Sequence, residues 1–290
     1  MLAYDFDFFW RAAGAILRGQ SPYVISGFYS PYPLALVLMP LALLPMLLAY
    51  GIWTALKLLL LARAGNRWQF LRAILFFPVA YELRQGQLDL LIFILAGKLN
   101  WFGAIISTLR PQLGIWIIPL CAWRWWKGRM YDQFWKSALG VLALYGASTV
   151  IAPNWWAEWA NALRVAWGYN EQSASLFGLT HFLPVSHAAS FVGISALAAA
   201  SFALLRPGTP REYWQLMAAF NPVAHVYSLV VLYDQVDPGV ILLGLLALPL
   251  SWTAHTNAIW ALIPLYLIFK DRFLPTISQR SVAAPAPPIS

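Results

Sequence analysis

Long apolar runs separated by short polar joints make up most of the chain after residue 33. The clearest runs cover 46–62 and 137–152, and two further candidates cover 185–205 and 213–233. A helix that crosses the hydrocarbon core of a bilayer needs about 20 mostly apolar residues. The pattern therefore predicts an all-α fold, a polytopic bundle of transmembrane helices.

Between 73 and 122 the apolar pattern is broken into pieces that are each short for a full crossing. These pieces cover 73–83, 88–97, 101–109 and 113–122. The polar joints between them read Arg84-Gln85-Gly86-Gln87, Lys98-Leu99-Asn100 and Arg110-Pro111-Gln112. Irregular polar backbone at membrane depth is tolerated only where it is buried in protein or lines a watery cavity. We therefore expect a cavity in this region.

The two ends of the chain have a different character. The first 32 residues are polar and aromatic, and Ala12, Ala13, Ile16 and Leu17 recur at helical spacing, which predicts an amphipathic helix at the membrane interface. Because Met1 to Ala3 is too short for a signal peptide or a crossing, we expect that the chain starts late or lacks a first helix.

Near the C-terminus, 239–252 and 258–269 fit either two short crossings or one crossing and a re-entrant piece. From 275 to 290 the chain is rich in Pro, Ala and Ser, which is typical of a disordered tail. We predict one membrane-embedded domain, 1–274, with outer loops at 1–32 and 153–185.

Composition and charge support a membrane location. Hydrophobic residues make up 61% of the chain and charged residues 10%, against roughly 25% charged residues in soluble domains. Nine of the 19 basic residues fall in clusters at 63–72, 124–136 and 206–211, which the positive-inside rule assigns to the cytoplasm. The net charge of +8 therefore reflects cytoplasmic loops, and a nucleic-acid partner is not expected. The single cysteine excludes a disulfide framework.

Two acids stand near the start of the chain in an aromatic stretch. Asp5 and Asp7 would point the same way in an extended segment and to different faces of a helix. Acids at a membrane surface often only favour the first turn of a helix. The other interpretation is catalysis on a lipid-borne substrate, with Asp5 or Asp7 as the reactive carboxylate.

Charged residues also occur among the short apolar pieces, namely Glu82, Arg84, Asp89 and Arg110. A charge within the membrane is costly and usually has a partner. These four could neutralise one another, or Arg84 and Arg110 could hold a phosphate through charge-assisted hydrogen bonds, with Gly86 allowing close backbone approach.

The four histidines, at 181, 187, 225 and 255, do not have the spacing of zinc ligands, so no metal and no cofactor is expected. His225 falls inside a predicted crossing, where it is either a hydrogen-bonded core residue or part of a functional cavity. Glycine-rich nucleotide loops and nucleophile elbows are missing from the sequence. A soluble nucleotide-sugar enzyme is therefore disfavoured.

Taken in order, several motifs from residue 5 to about 240 resemble glycosyltransferase family 87, the polyprenyl-phosphate-mannose-dependent mannosyltransferases of the GT-C superfamily. The motifs are Asp5-Phe6-Asp7, Gly19-Gln20-Ser21-Pro22-Tyr23, Tyr29-Ser30-Pro31-Tyr32-Pro33, Gly86-Gln87-Leu88-Asp89, Arg110-Pro111-Gln112, Asn170-Glu171-Gln172-Ser173, Asn221-Pro222 and Tyr233-Asp234. Asp89 stands where that family has Asn, and Arg110 where it has Lys. Tyr227 and Ser228 stand where it has a His pair.

The resemblance implies a GT-C-like membrane fold, a lipid-linked sugar donor, an outward-facing active site in the plasma membrane, and inversion at the sugar without a metal. It implies Asp5 as first choice and Asp7 as second choice for the general base, with His225 as a third catalytic candidate. The donor phosphate would be bound by Arg84, Arg110 and Gln87. The substrate would be bound by Tyr23, Tyr29, Asn170, Gln172 and Tyr227.

We thus expect transfer of a hexose, mannose by the family pattern, from a polyprenyl phosphate to an outward-facing lipid or glycan. The alternative is a catalytically inactive homologue that serves as a structural subunit beside other membrane subunits. A transporter is less favoured, because no inverted repeat is visible.

Overall fold

The computed structural model describes residues 3–166, 173–182, 187–221 and 225–274. Within these ranges all regular structure is helical and no strand occurs, as the all-α prediction requires. The α-helices are α1 (Tyr4–Leu17), α2 (Tyr32–Ala42), α3 (Met46–Ala64), α4 (Arg67–Leu75), α5 (Phe77–Gln85), α6 (Asp89–Ala96), α7 (Trp101–Ser107), α8 (Pro111–Lys127), α9 (Tyr131–Ile151), α10 (Trp155–Ala166), α11 (His187–Leu205), α12 (Pro210–Phe220), α13 (Pro238–Thr253) and α14 (Leu262–Phe273). Shorter 3-10 segments cover Pro22–Val24, Leu176–Phe182, Val226–Gln235 and Asn257–Ala261.

Two of the described helices, α3 and α9, are long and apolar enough to cross a membrane. They coincide with the runs predicted at 46–62 and 137–152. The run at 213–233 does not form the single crossing expected from its hydropathy. α12 ends at Phe220 because Asn221 has an extended conformation, with ψ of 118°, and a residue before proline is disfavoured in a helix. The chain is next described from His225, and the Val226–Gln235 segment follows.

The amphipathic N-terminal helix is present as α1 and packs against α2. Its buried face is formed by Phe6, Phe9, Ala12 and Ala13, whereas Leu17 is exposed. The predicted face was therefore right around the two alanines and wrong at Leu17, because the aromatic residues of the first two turns set the direction of packing.

The short pieces after residue 66 are also separate helices. The piece predicted at 73–83 is divided between α4 and α5, because Phe76 is extended and Pro78 occupies the first turn of α5. α5 ends at Gly86, which has φ of 76°, and a Cβ there would lie 2.5 Å from the Cβ of Phe6. The turn after α5 thus requires glycine. It places the residues that follow close to α1.

Candidate functional site

The polar joints on either side of α6 and α7 meet in the core of the protein. Gln87 and Asp89, which follow α5, are buried, as is Arg110, which precedes α8. The Arg110 guanidinium donates from Nε to Asp89 Oδ1 at 3.0 Å and from Nη2 to Gln87 Oε1 at 2.6 Å. Two joints that are over 20 residues apart in the chain therefore form one hydrogen-bonded cluster.

The Val226–Gln235 segment adds two hydroxyl groups to this cluster. Gln87 Nε2 donates to the Tyr227 hydroxyl at 3.1 Å, and Ser228 Oγ donates to Asp89 Oδ2 at 2.8 Å. The His225 ring stacks on Tyr227, with ring centroids 5.0 Å apart. Both carboxylate oxygens of Asp89 consequently have a partner. Of the predicted site residues, Gln87 is hydrogen-bonded to both Arg110 and Tyr227.

Asp5 extends from the first turn of α1 toward the same cluster. It is partly buried and lies close enough to the Gln87 side chain and to Arg110 for both to act on its pKa. Burial raises the pKa of the Asp5 carboxyl above its usual value, and the bond to Gln87 and the charge of Arg110 lower it in part. A carboxyl group that holds its proton more tightly is a stronger base when ionised.

Asp7 points to another side of α1, as expected for two residues two positions apart on a helix. Its carboxylate lies 3.4 Å from Arg11 in a pair that is partly exposed to solvent. Of the two acids, which the family resemblance ranked as first and second choice, only Asp5 faces the cluster.

A second ion pair supports the turn after α5. Lys57 in α3 is fully buried and donates to Glu82 Oε1 and Oε2 at 3.3 and 3.2 Å and to the Gln87 carbonyl at 3.1 Å. Trp53, one turn earlier, donates from Nε1 to the Gly86 carbonyl at 3.0 Å. The side chains of α3 thus cap the C-terminal end of α5 and fix the turn from which Gln87 extends.

The sequence interpretation did not include Lys57 or Trp53. A lysine near the middle of an apolar run is itself a signal, because a charge at that depth should have a partner. For its partner, Glu82, pairing within the short pieces was one of the two alternatives left open by the sequence. Within the described residues, Glu82 pairs with Lys57 and Asp89 pairs with Arg110, so neutralisation accounts for both of these acids.

Asp5 differs from these two acids. Among the described residues it forms no ion pair, although it lies close enough to Arg110 and Asp89 for their charges to act on its pKa. If all five groups are ionised, two pairs cancel and the carboxylate of Asp5 remains. The cluster therefore includes one carboxyl group that is not neutralised by a cation of its own.

The other predicted site residues lie elsewhere. The Arg84 side chain is exposed, and its carbonyl accepts from the Ala3 backbone at 2.9 Å. Tyr23 donates to the Ser30 carbonyl at 3.3 Å, and the Tyr29 carbonyl accepts from Trp159 Nε1 at 3.0 Å, which ties this loop to α10. Asn170 and Gln172 lie outside the described residues.

The described residues contain no group of three His, Cys, Asp or Glu side chains that could hold a metal ion. Comparison with known proteins gives no match to a family model, a curated protein or a solved structure. The function has to be inferred from the cluster itself and from the motifs described above.

Proposed function

We propose that this protein is a membrane glycosyltransferase of GT-C type, which transfers a hexose from a polyprenyl-phosphate donor to an outward-facing lipid or glycan acceptor. The sugar is mannose by the family resemblance, and the location is the plasma membrane. The observation that carries the proposal is the position of Asp5, a carboxylate without an ion-pair partner beside the buried Arg110 and Gln87.

The exposure of the two long helices supports the membrane location. Only 22% of the apolar window in α3 and 6% of that in α9 is buried inside the protein. Large apolar side chains such as Leu47, Leu142 and Val150 are more than two-thirds exposed. The core helix of a soluble protein would bury such residues, and exposed apolar surface of this extent marks contact with lipid or with another protein.

The chemistry requires a base and a group that stabilises the leaving phosphate. Asp5 would take the proton of the acceptor hydroxyl as its oxygen attacks the anomeric carbon. The bond from that carbon to the phosphate oxygen breaks, and its electron pair leaves with the phosphate. Arg110 would stabilise the charge that develops there. A guanidinium has five N–H donors, and the bonds to Asp89 and Gln87 leave others for this role.

The second candidate, an inactive homologue within a larger membrane complex, is favoured by a different observation. Arg110 and Lys57 each already have a carboxylate partner, so the cluster is nearly balanced in charge without any ligand. A network of this kind also stabilises a membrane protein that performs no chemistry.

Asp5→Asn and Asp7→Asn form a matched pair of variants that tests the enzyme proposal. The two changes are equal in size and charge, and they lie two positions apart on one helix, but only Asp5 faces Arg110. In membranes supplied with radiolabelled polyprenyl-phosphate hexose, we expect Asp5→Asn to abolish transfer and Asp7→Asn to retain it, at equal protein levels. Transfer by Asp5→Asn at the wild-type rate would exclude Asp5 as the base.

Purification from native membranes separates the two candidates. The enzyme proposal expects donor-dependent label transfer by the isolated chain. Isolation in fixed stoichiometry with other membrane subunits, together with no transfer by either the chain or the complex, would establish the structural alternative.

A further inference from the structure

A cavity of about 210 Å³ lies far from the Asp5 cluster, between α8, α12 and the loop after α6. Its wall includes Leu99, Leu120, Trp123, Arg124 and Tyr213. Arg124 is 14 positions after Arg110, and a rise of 1.5 Å per residue separates them by about 21 Å along α8. The cavity is therefore at the opposite end of α8 from the candidate active site.

Two hydrogen bonds hold the walls of this cavity in place. Trp125 Nε1 donates to the Leu99 carbonyl at 2.8 Å, which fixes the loop after α6 on α8. The Tyr213 hydroxyl donates to the Trp116 carbonyl at 2.7 Å, which fixes α12 on α8. The walls of the cavity are consequently held in place by the packing of the loop after α6 and of α12 against α8.

The charges around the cavity favour an anion. Arg124 is exposed and forms no ion pair with any described residue. No acid is among the described residues that line the cavity, and Glu212, which accepts from the Gly208 backbone at its edge, lies 3.8 Å from Arg272. The side chain of Arg124 therefore offers a positive charge that no neighbouring acid cancels.

The lining is otherwise apolar and aromatic, and Trp123 is half exposed beside Lys127, whose ammonium lies 4.5 Å from the centre of its ring. Tryptophan with lysine or arginine is typical of the depth of lipid headgroups. Basic pockets between helices on the cytoplasmic side are known sites for anionic lipid headgroups. The volume is below the roughly 300–1,000 Å³ of sites for small molecules, so it suits part of one acyl chain.

We infer that this cavity is a binding site for an anionic phospholipid of the cytoplasmic leaflet, with the lipid phosphate at Arg124 and the start of one acyl chain between Leu99, Leu120 and Tyr213. The inference rests on the membrane location proposed above and is independent of the transfer reaction. The lipid would join α8 to α12 and so stabilise the protein from the side opposite Asp5.

The test uses the purified full chain in uncharged detergent micelles, with phosphatidylglycerol or phosphatidylcholine added at equal mole fraction. Native mass spectrometry measures the lipid retained, and the unfolding midpoint measures stabilisation. We expect phosphatidylglycerol to bind and raise the midpoint, and Arg124→Gln to weaken that binding about fivefold, the effect of one basic residue near a lipid surface. Arg63→Gln, with the same charge change on α3, which forms no wall of the cavity, is the matched control and should bind nearly as the wild type.

Leu120→Trp tests the acyl-chain part, because it fills the cavity and keeps Arg124. It should reduce retention of phosphatidylglycerol even though the charge is unchanged. Equal loss in Arg124→Gln and Arg63→Gln, equal binding of phosphatidylcholine, or a midpoint shift reproduced by inorganic phosphate alone would each overturn the inference. Extraction of the chain from membranes by alkaline carbonate would instead refute the membrane location itself, so the two failures are distinguishable.

Discussion

The buried pair formed by Lys57 and Glu82 gives the sharpest prediction about stability. Both side chains are completely shielded from solvent, and the Lys57 ammonium has three oxygen acceptors within 3.3 Å. Removing one partner of a buried pair leaves an uncompensated charge, which costs about 3–5 kcal/mol. We therefore expect Lys57→Met and Glu82→Leu each to lower the free energy of unfolding by about that amount.

The double variant separates the charge effect from packing. Replacement of a whole buried pair by apolar side chains of similar volume is often neutral or stabilising. Lys57→Met with Glu82→Leu should therefore be far less destabilised than the sum of its parts. The Gln87 carbonyl loses its Lys57 donor but keeps the longer bond from Trp53 Nε1 at 3.4 Å. The remaining cost should therefore be below the roughly 1–3 kcal/mol of a buried acceptor without a partner.

The assay is reversible unfolding in mixed micelles, followed by tryptophan fluorescence, for the four members of the cycle. Lys136→Met is the control, because Lys136 pairs with Asp132 on an exposed surface at 3.3 Å and its loss should leave the midpoint unchanged. Single variants that unfold like the wild type, or a double variant whose loss equals the sum of the two singles, would refute the reasoning.

Three further predictions concern the turn after α5 and the acid that faces it. Gly86→Ala should cost about 1–3 kcal/mol, because φ is 76° and the new Cβ would meet Phe6; Gly51→Ala, with no atom within 4 Å, should not destabilise, and melting curves compare the two. Trp53→Phe removes the donor to the Gly86 carbonyl and should cost about 1–3 kcal/mol in the same assay. Because burial raises the pKa of Asp5, the folded state holds the proton more tightly, and stability should fall as pH rises from the ordinary aspartate pKa of about 3.9 to the raised value. Asp5→Asn should lack that fall in midpoint-against-pH curves, and identical curves for the two proteins would contradict it.

Periodicity predicted much of the fold. The limits of α3 and the existence of α1, α6 and α7 follow from apolar spacing and from the polar joints, because these signals are local. Gln87 and Arg110 of the polar joints are buried, as is Asp89 next to the first joint, whereas the cavity expected in this region stays a prediction. The break between α4 and α5 was missed, although Pro78 in the first turn of a helix is a known start signal.

The candidate site was harder to predict, because its geometry depends on pairing between distant parts of the chain. Sequence spacing does not say whether Glu82 pairs with Arg84, with Arg110 or with Lys57, since the choice depends on how α3 packs against α5. It also leaves Asp5 and Asp7 equivalent until α1 is docked on its neighbours. Arg84 was predicted as a site residue, but its side chain, in the last turn of α5, is exposed. The local sequence does not indicate this orientation.

The orientation of the Gln87 amide fixes which of its neighbours donates a hydrogen bond to it and which accepts one. A guanidinium can only donate hydrogen bonds, so Arg110 requires the amide oxygen, and the amide NH₂ must then face Tyr227. The phenol oxygen is thereby the acceptor of that bond, so the Tyr227 hydroxyl hydrogen is not used in it. One arginine on the last polar joint thus decides how a tyrosine more than 100 residues further along the chain takes part in the network.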